Sequence, residues 1–570
     1  MMATDISSSN YPDIHQWKDA GVSLSVALTK YLELSLSLGT EAFSGETKLK
    51  ELASQIDSGL CSIQTTLNQQ ISRTRSTITQ ARNLALSSIY CLPREILSTI
   101  FMNVVFSPPT SESAEASVAG IYLKLYNLLA TCKEWKDVVL NQGEFWSIIP
   151  ILDLSPQAYG VDWKKFGCVL SRCIERSKGN LYLVANKLHD ASYDDLLATL
   201  SPRLHAINIS TNNRSVVRGI MNIFLRPYSP DPRALSELSV YQDQEEQYYN
   251  NPPSKEDHIF RLNSLEQGSF ENLALKLSVL RIRGAQFHWD TFSFSHSLTE
   301  LHLQEINFGY DSTVASFLGT LASASGLHVL KLISVRSFYR GPLNFNPVAE
   351  RGIQIPNLRF LLVDDLYFNT LDCILSLVGS RSHDLTLLLS RRCRFIDCPA
   401  SEVGVQDATW ESLCELLREV PIKKLLISGD RQSQWPSPSE LKELIKLTAP
   451  GLETLWVNLW DFDATCFDVL TYRPVPQDSS EPTLNLVNLH LTCARIHDQG
   501  AFLEMVLSQS RSLQHMLLGA AARSHKMVGW VHLQENYPLA SKLKNTVPNF
   551  QLVDCDDMPS EFQDAPWQLW

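Results

Sequence analysis

The chain has 570 residues, 44% of them hydrophobic and 19% charged, with a formal net charge of -12. That length supplies several cores or an elongated array of repeats. The acidic balance, with no strongly basic block, disfavours a nucleic-acid partner, whose binding rests on clustered Lys and Arg. The nearest basic stretch, "SRRCR" at 390–394, reads as a solvated loop. The first residues lack the basic and apolar regions of a signal peptide, and no run reaches the ~18 apolar residues of a membrane span. A soluble protein of the cytoplasm and/or nucleus, without a membrane partner, is expected. The 12 cysteines include no CxxC, and the nearest pairs, Cys168 with Cys173 and Cys393 with Cys398, are five apart. Reduced thiols are therefore expected rather than a metal site, and no cofactor is implied.

In chain order, residues 14–38 are rich in Leu, Val, Ala and Ser and predict one helix ending near Gly39. A second run comes next, with Leu52, Ile56, Leu60, Ile63, Leu67, Ile71, Thr74, Ile78, Ala81, Ala85 and Ile89 at steps of three or four. This predicts nearly forty residues of amphipathic helix, weakened at Gly59. Residues 1–88 thus form a helical region, either a coiled-coil dimerisation arm or a helical hairpin packed on itself or on the adjoining domain. Ala and Thr in the seam and sparse flanking charges favour the packed arrangement.

The segment "CLPREILSTIFMNVVF", 91–106, places Pro93 for a first helical turn and carries two apolar stripes. One is Leu92, Ile96, Ile100 and Val104; the other is Leu97, Phe101 and Val105. After the Pro- and Ser-rich stretch 107–120, Leu125, Leu128, Leu129, Cys132, Trp135 and Val139 share a second helical face, and Gly143 is placed to end that helix before Phe145 and Trp146. So small a unit cannot hide two broad faces and two tryptophans, so some of that surface is expected to meet another protein.

Leu92, Pro93, Glu95, Ile96, Leu97, Ile100 and Phe101, followed by Cys132, Trp135, Val138, Val139 and the pair Phe145-Trp146, resemble the F-box of fungal-type F-box proteins. The resemblance places a three-helix module at 89–150. It implies docking onto a Skp-type adaptor and, through it, a cullin, with Leu92, Pro93, Ile96, Leu97, Ile100, Phe101, Cys132, Trp135 and Val138 as adaptor-binding residues.

From about 181 a pattern LxxLxL returns at Leu204/Ile207/Ile209, Leu235/Leu238/Val240, Leu277/Leu280/Ile282, Leu298/Leu301/Leu303, Leu327/Leu330/Leu332, Leu358/Leu361/Val363, Ile422/Leu425/Ile427, Leu452/Leu455/Val457, Leu486/Leu489/Leu491 and Leu513/Met516/Leu518. The gap of 64 residues between the sixth and seventh is bridged by "HDLTLLLS" at 383–390. These read as degenerate leucine-rich repeats, each giving one parallel strand and a helical or looped return. The expected fold is a mixed α+β and α/β repeat: N-terminal helices and a three-helix F-box, then an irregular leucine-rich-repeat solenoid over 151–550. An exposed acidic, Pro-rich insertion is expected near 227–258, and 551–570 form a tail.

Alternation along each strand turns the residues that flank the second and third leucines away from the core, onto an expected concave face. That rule selects Arg281, Arg283, Glu300, His302, Gln304, Lys331, Asp364, Lys424, Trp456, Asn458, Asn488 and His490 as substrate-binding candidates. Trp456, expected to be exposed with Trp460 close by, is the leading anchor. No G-x-S-x-G, P-loop, HExxH or GxGxxG is present, and the pair His189 and Asp190 reads as loop, so no enzyme is expected. An F-box followed by leucine-rich repeats resembles the substrate receptors of Skp-cullin-F-box ubiquitin ligases. The alternative is a leucine-rich-repeat interaction scaffold with no part in ubiquitination.

Overall fold

A computed structural model describes residues 12–41, 49–86, 89, 92–107, 114–151, 172–186, 199–225, 235–243, 251–341, 353, 355–378, 384–400, 404–418, 420–429, 435–449, 451–471, 484–523 and 529–554. The stretch 108–113, the pair His189 and Asp190, Cys168, much of the expected insertion and the tail from 555 lie outside them. The chain divides into two compact units, Met1–Leu97 and Ser98–Trp570.

The first unit holds two long helices, Pro12–Glu41 and Leu49–Leu86. Gly59 does not interrupt the second, and an added Cβ there would meet open space. Ile56, Leu60, Ile63, Ile71 and Ile78 are all exposed, as are Trp17, Leu28, Leu32 and Leu36 on the first helix.

The helix Arg94–Val105 carries residues of both units, and the second unit continues with Ala114–Thr131 and Lys133–Asn141. Gly143 opens a 3-10 turn, Gly143–Trp146, instead of closing the preceding helix. Its lack of a side chain matters for another reason: a Cβ would lie 2.6 Å from the Lys178 backbone nitrogen.

A 16-stranded sheet then runs through the second unit almost wholly in sequence order. Its parallel strands are Ile148–Ile151, Leu181–Ala185, Leu204–Thr211, Glu237–Gln242, Val279–Arg283, Glu300–Gln304, Val329–Ile333, Phe360–Asp364, Asp384–Leu389, Ile422–Ser428, Thr454–Asn458, Asn488–Ile496 and His515–Arg523. Asn549–Leu552 adds in parallel to the last of these and Trp530–His532 antiparallel. Sequential parallel pairing requires a return after every strand, the topology of a repeat array. Every LxxLxL lands on a strand, and the bridging segment at 383–390 becomes Asp384–Leu389. The expected insertion is not one excursion, because Glu237–Gln242 lies within it as a full member of the sheet.

The strand leucines form the core: Leu280, Leu301, Leu330, Leu361, Leu425, Leu455 and Leu489 are all within 1% of full burial. The returning helices Asp311–Leu321, Phe368–Leu377, Trp410–Arg418, Pro438–Thr448, Ala464–Leu470, Gln499–Ser508 and Pro538–Thr546 each pack on the next. Between Arg283 and Glu300 the return holds no helix, and buried aromatic rings take its place. Phe287 stacks on Phe270 at 4.6 Å and Trp289 on Phe292 at 5.1 Å, with Phe294 and Phe317 edge-on at 6.2 Å. Such pairs contribute about 1 kcal/mol each beyond their burial.

Two further devices tie successive repeats. The residue after the strand takes a left-handed backbone at Gly284, Glu305, Ser334, Asp365 and Leu459. This turn lets its N–H bond the next strand, as from Glu305 to the Ile333 carbonyl at 2.9 Å and from Ser334 to the Asp364 carbonyl at 2.8 Å. A buried polar clip spans three returns. Asn369 donates to Asp311 Oδ1 and to the Ser337 carbonyl, both at 2.8 Å, and accepts from the Asp397 N–H at 2.9 Å. Arg336 holds the fully buried Asp397 carboxylate with two nitrogens. Burial nevertheless raises the Asp397 and Asp311 acids above their ordinary range.

Candidate functional site

The helix Arg94–Val105 begins as its sequence predicts, with the Pro93 carbonyl accepting from the N–H groups of Ile96 and Leu97 at 3.1 and 3.0 Å. Its two apolar stripes have opposite fates. Leu97, Phe101 and Val105 are 2%, 1% and 0% exposed, whereas Ile96, Ile100 and Val104 are 48%, 38% and 47% exposed. Leu92 is half-buried and Pro93 exposed. The Phe101 ring meets half-buried Trp135 at 4.7 Å, and Cys132 caps that helix by accepting from the Trp135 N–H at 3.5 Å. Val138 is buried, and Trp146 Nε1 donates to the Val139 carbonyl at 3.0 Å beneath the Arg176 guanidinium. Of the nine adaptor-binding candidates, Leu97, Phe101 and Val138 are therefore internal packing. Ile96, Ile100 and Pro93 present surface, and Leu92, Cys132 and Trp135 lie at its margin. Leu123 and Tyr126, on Ala114–Thr131, are exposed apolar residues that the sequence reading left out.

The second family of candidates lies, as expected, on the sheet face opposite the core leucines, most of it in two rows, with Glu300 one pleat before them and Asn458 one pleat after. Arg281, His302 and Lys331 are register partners in one row; Arg283, Gln304, Ile333 and Asp364 form the next. A register shift at Leu385/Thr386 then displaces the motif by one pleat. Leu388, Leu426, Trp456 and His490 consequently continue the row of Arg283, not that of Arg281.

The first portion is an ion-pair lattice. Arg281 donates to both Glu300 oxygens at 2.9 and 3.3 Å and lies 3.7 Å from Glu237. Arg283 pairs with Glu305 at 2.9 Å and covers the Tyr241 ring at 4.5 Å. Burial alone would raise the Glu300 acid, but the Arg281 hydrogen bond and charge outweigh it and the carboxyl is lowered. His302 is 7% exposed; burial first, then the Lys331 charge, push its pKa down to about 3. Among the described residues, its Nε2 and both amide atoms of fully buried Gln304 have no hydrogen-bond partner.

The second portion corrects an expectation. Trp456 is 6% exposed and Trp460 7%, so neither is an open anchor. Trp456 clusters with buried Leu388 and Leu426, stacks on His490 at 4.2 Å, and carries the Lys424 ammonium over its ring at 4.7 Å. Burial and Lys424 lower the His490 pKa to about 4. Asn458, 1% exposed, accepts from the Thr492 hydroxyl at 3.1 Å, and half-buried Asn488 donates to Thr454 at 2.8 Å; both serve the ladder between strands. Asp364 remains half-buried beside the charged portion. The basic stretch at 390–394 is also not free: Arg392 pairs with Asp365 at 2.5 Å and Arg394 with Glu440.

Sequence reasoning missed a cleft of about 400 Å³ past the strand ends, lined by Trp435, Pro436, Leu459, Trp460, Asp461 and His497. Its tryptophans lie outside any strand, where the two-residue alternation gives no signal. Asp461 there is 3.8 Å from Arg495 and 3.9 Å from His497.

No helix among the described residues is long and apolar enough to cross a membrane. No family model matches the chain, and no curated protein matches it. Among solved structures it is similar to the crystal structure of a leucine-rich repeat-containing protein from Legionella pneumophila. The two are 11% identical over 64% of this chain and 96% of that chain, with a TM-score of 0.31.

Proposed function

We propose that the chain is a non-catalytic substrate receptor of a Skp-cullin-F-box ubiquitin ligase. In this reading the helices from Arg94 to Asn141 bind the Skp-type adaptor and the repeats bind a protein substrate. The observation that carries it is the split face of Arg94–Val105: one stripe closes the core while Ile96, Ile100 and Val104 stay open to solvent. A helix that has already filled its own core and still exposes three aliphatic side chains in line is suited to a partner's groove. That stripe belongs to the motif that resembles the F-box. Arg281, Arg283, Glu300 and Lys331, which stay partly exposed on neighbouring strands, are the proposed recognition surface.

The test is adaptor co-purification and titration with the full chain. Ile100→Asp should reduce adaptor affinity at least 100-fold without changing thermal stability, since it places a charge in the centre of an interface but in solvent in the free protein. Phe101→Asp should instead unfold the helical module. Unchanged adaptor affinity of Ile100→Asp, or no adaptor binding by the wild-type chain, would leave a repeat scaffold with no role in ubiquitination.

A further inference from the structure

The helix Leu49–Leu86 exposes an apolar row whose spacing is a palindrome. Ile56, Leu60, Ile63, Ile71 and Ile78 are 40%, 50%, 40%, 53% and 38% exposed, with half-buried Leu67 between them and Thr74 completing the row. The steps from 56 to 78 are four, three, four, four, three and four residues, the same read from either end about Leu67. Laid antiparallel on a copy of itself, the helix therefore sets Ile56 against Ile78, Leu60 against Thr74, Ile63 against Ile71, and Leu67 against Leu67 on the two-fold axis.

Charge selects the same orientation. Asp57 lies in the first half of the row, while Arg73, Arg75 and Arg82 lie in the second half or beyond it. Antiparallel pairing carries Asp57 to within one turn of Arg73 and Arg75 of the other copy, whereas parallel pairing sets arginines against arginines. Arg82 falls opposite Leu52 of the other copy, beside Glu51 and two residues from Lys50, at the helix end. The consecutive steps of four would unwind a parallel supercoil midway, but antiparallel they fall on the axis. The row spans about 33 Å at 1.5 Å per residue. Burying it with its flanking stems removes on the order of 800 Å² per copy, the size of a standard stable interface.

We infer that the occupant of this face is a second copy of the chain, and that the protein is an antiparallel two-fold dimer through Leu49–Leu86. This does not depend on the proposed adaptor. The experiment is sedimentation equilibrium of the full chain across micromolar concentrations, with Leu67→Asp and the milder Ile63→Gln as variants. Wild type should sediment at twice the chain mass, and Leu67→Asp, which opposes two carboxylates on the axis, should raise the dissociation constant roughly 100-fold or more. Thermal unfolding of the repeats should be unchanged, because the row is exposed in the single chain. Orientation is read by cross-linking in a Cys61→Ser background. A mixture of Ile56→Cys and Ile78→Cys proteins should form the mixed disulfide, while Ile56→Cys alone should not. A single-chain mass for wild type, an undisturbed dimer in both Leu67→Asp and Ile63→Gln, or efficient cross-linking of Ile56→Cys to itself would each overturn the inference.

Discussion

His302 gives the most direct test of how the sheet face is built. Its pKa falls from 6.5 to about 3, first because it is buried and second because Lys331 lies beside it. The folded imidazole thus stays neutral through the range in which the unfolded one takes up a proton. The unfolded chain binds more protons there, so stability is full above about pH 6.5 and is lost as pH falls toward 3. At pH 5 the deficit is the distance from 6.5, 1.5 pH units, at about 1.4 kcal/mol per unit, or about 2 kcal/mol. His302→Gln removes the titration, and since Nε2 makes no hydrogen bond among the described residues it forfeits none there. Urea denaturation of both proteins at pH 7.5 and pH 5.0 gives the comparison. Wild type should lose about 2 kcal/mol more than His302→Gln between the two conditions. Equal losses in the two proteins would mean that His302 is hydrated and protonated normally, and that the sheet face is more open than its burial indicates.

Other perturbations act on the same packing. Asn369→Ala should cost about 3 kcal/mol by chemical denaturation, because it strips partners from buried Asp311 and from the Asp397 N–H together. Trp456→Ala should cost at least 3 kcal/mol, the behaviour of a core residue and not of an exposed anchor. Lys331 makes no ion pair among the described residues, so Lys331→Ala should leave the melting temperature within about 1 °C while weakening capture of cellular partners. Arg281→Ala, by contrast, unpairs Glu300 and should lower both. Gly326→Ala would place a Cβ 1.9 Å from the His296 carbonyl oxygen and should destabilise by several kcal/mol. Gly319→Ala, in a helix with open space around it, should stabilise by about 0.5 kcal/mol.

The repeat strands were legible because their signal is local. A leucine two residues from another, returning after a span that fits one return, predicts a strand whether or not its neighbours are known. The same locality explains what was not legible. The shift at Leu385/Thr386 is a property of a pair of strands, so residues chosen by motif position fell into two rows. Likewise the aromatic packing from Phe287 to Phe294 replaces a helix that periodicity could only report as missing. The left-handed residues at the strand ends include Glu305, Ser334, Asp365 and Leu459, none of which announces a turn as Gly284 does.

Trp456 shows why exposure was the hardest property to read. Alternation correctly placed it opposite the core leucines, and the inference from there to solvent assumed that this face carries nothing large. Its row neighbours are Leu388 and Leu426, its next partner His490, and Lys424 lies across its ring. A single large ring between aliphatic neighbours buries itself against them, since desolvating an indole and two leucine side chains together outweighs leaving either wet. The strands from Val279 to Ile333 instead hold Arg281, Arg283, His302, Gln304 and Lys331 in the two rows, with Glu300 one pleat away. There Arg281 and Arg283 pair with Glu300 and Glu305, and these side chains and Lys331 stay partly hydrated while His302 and Gln304 are buried. One face is thus divided by composition into a sealed apolar end and a charged end, and the division falls where the register shifts. Water reaches the charged end through Arg281, Arg283, Glu300 and Lys331, whereas beyond the shift Leu388, Leu426 and Trp456 are buried and Lys424, Asn488 and His490 stay only partly exposed around them.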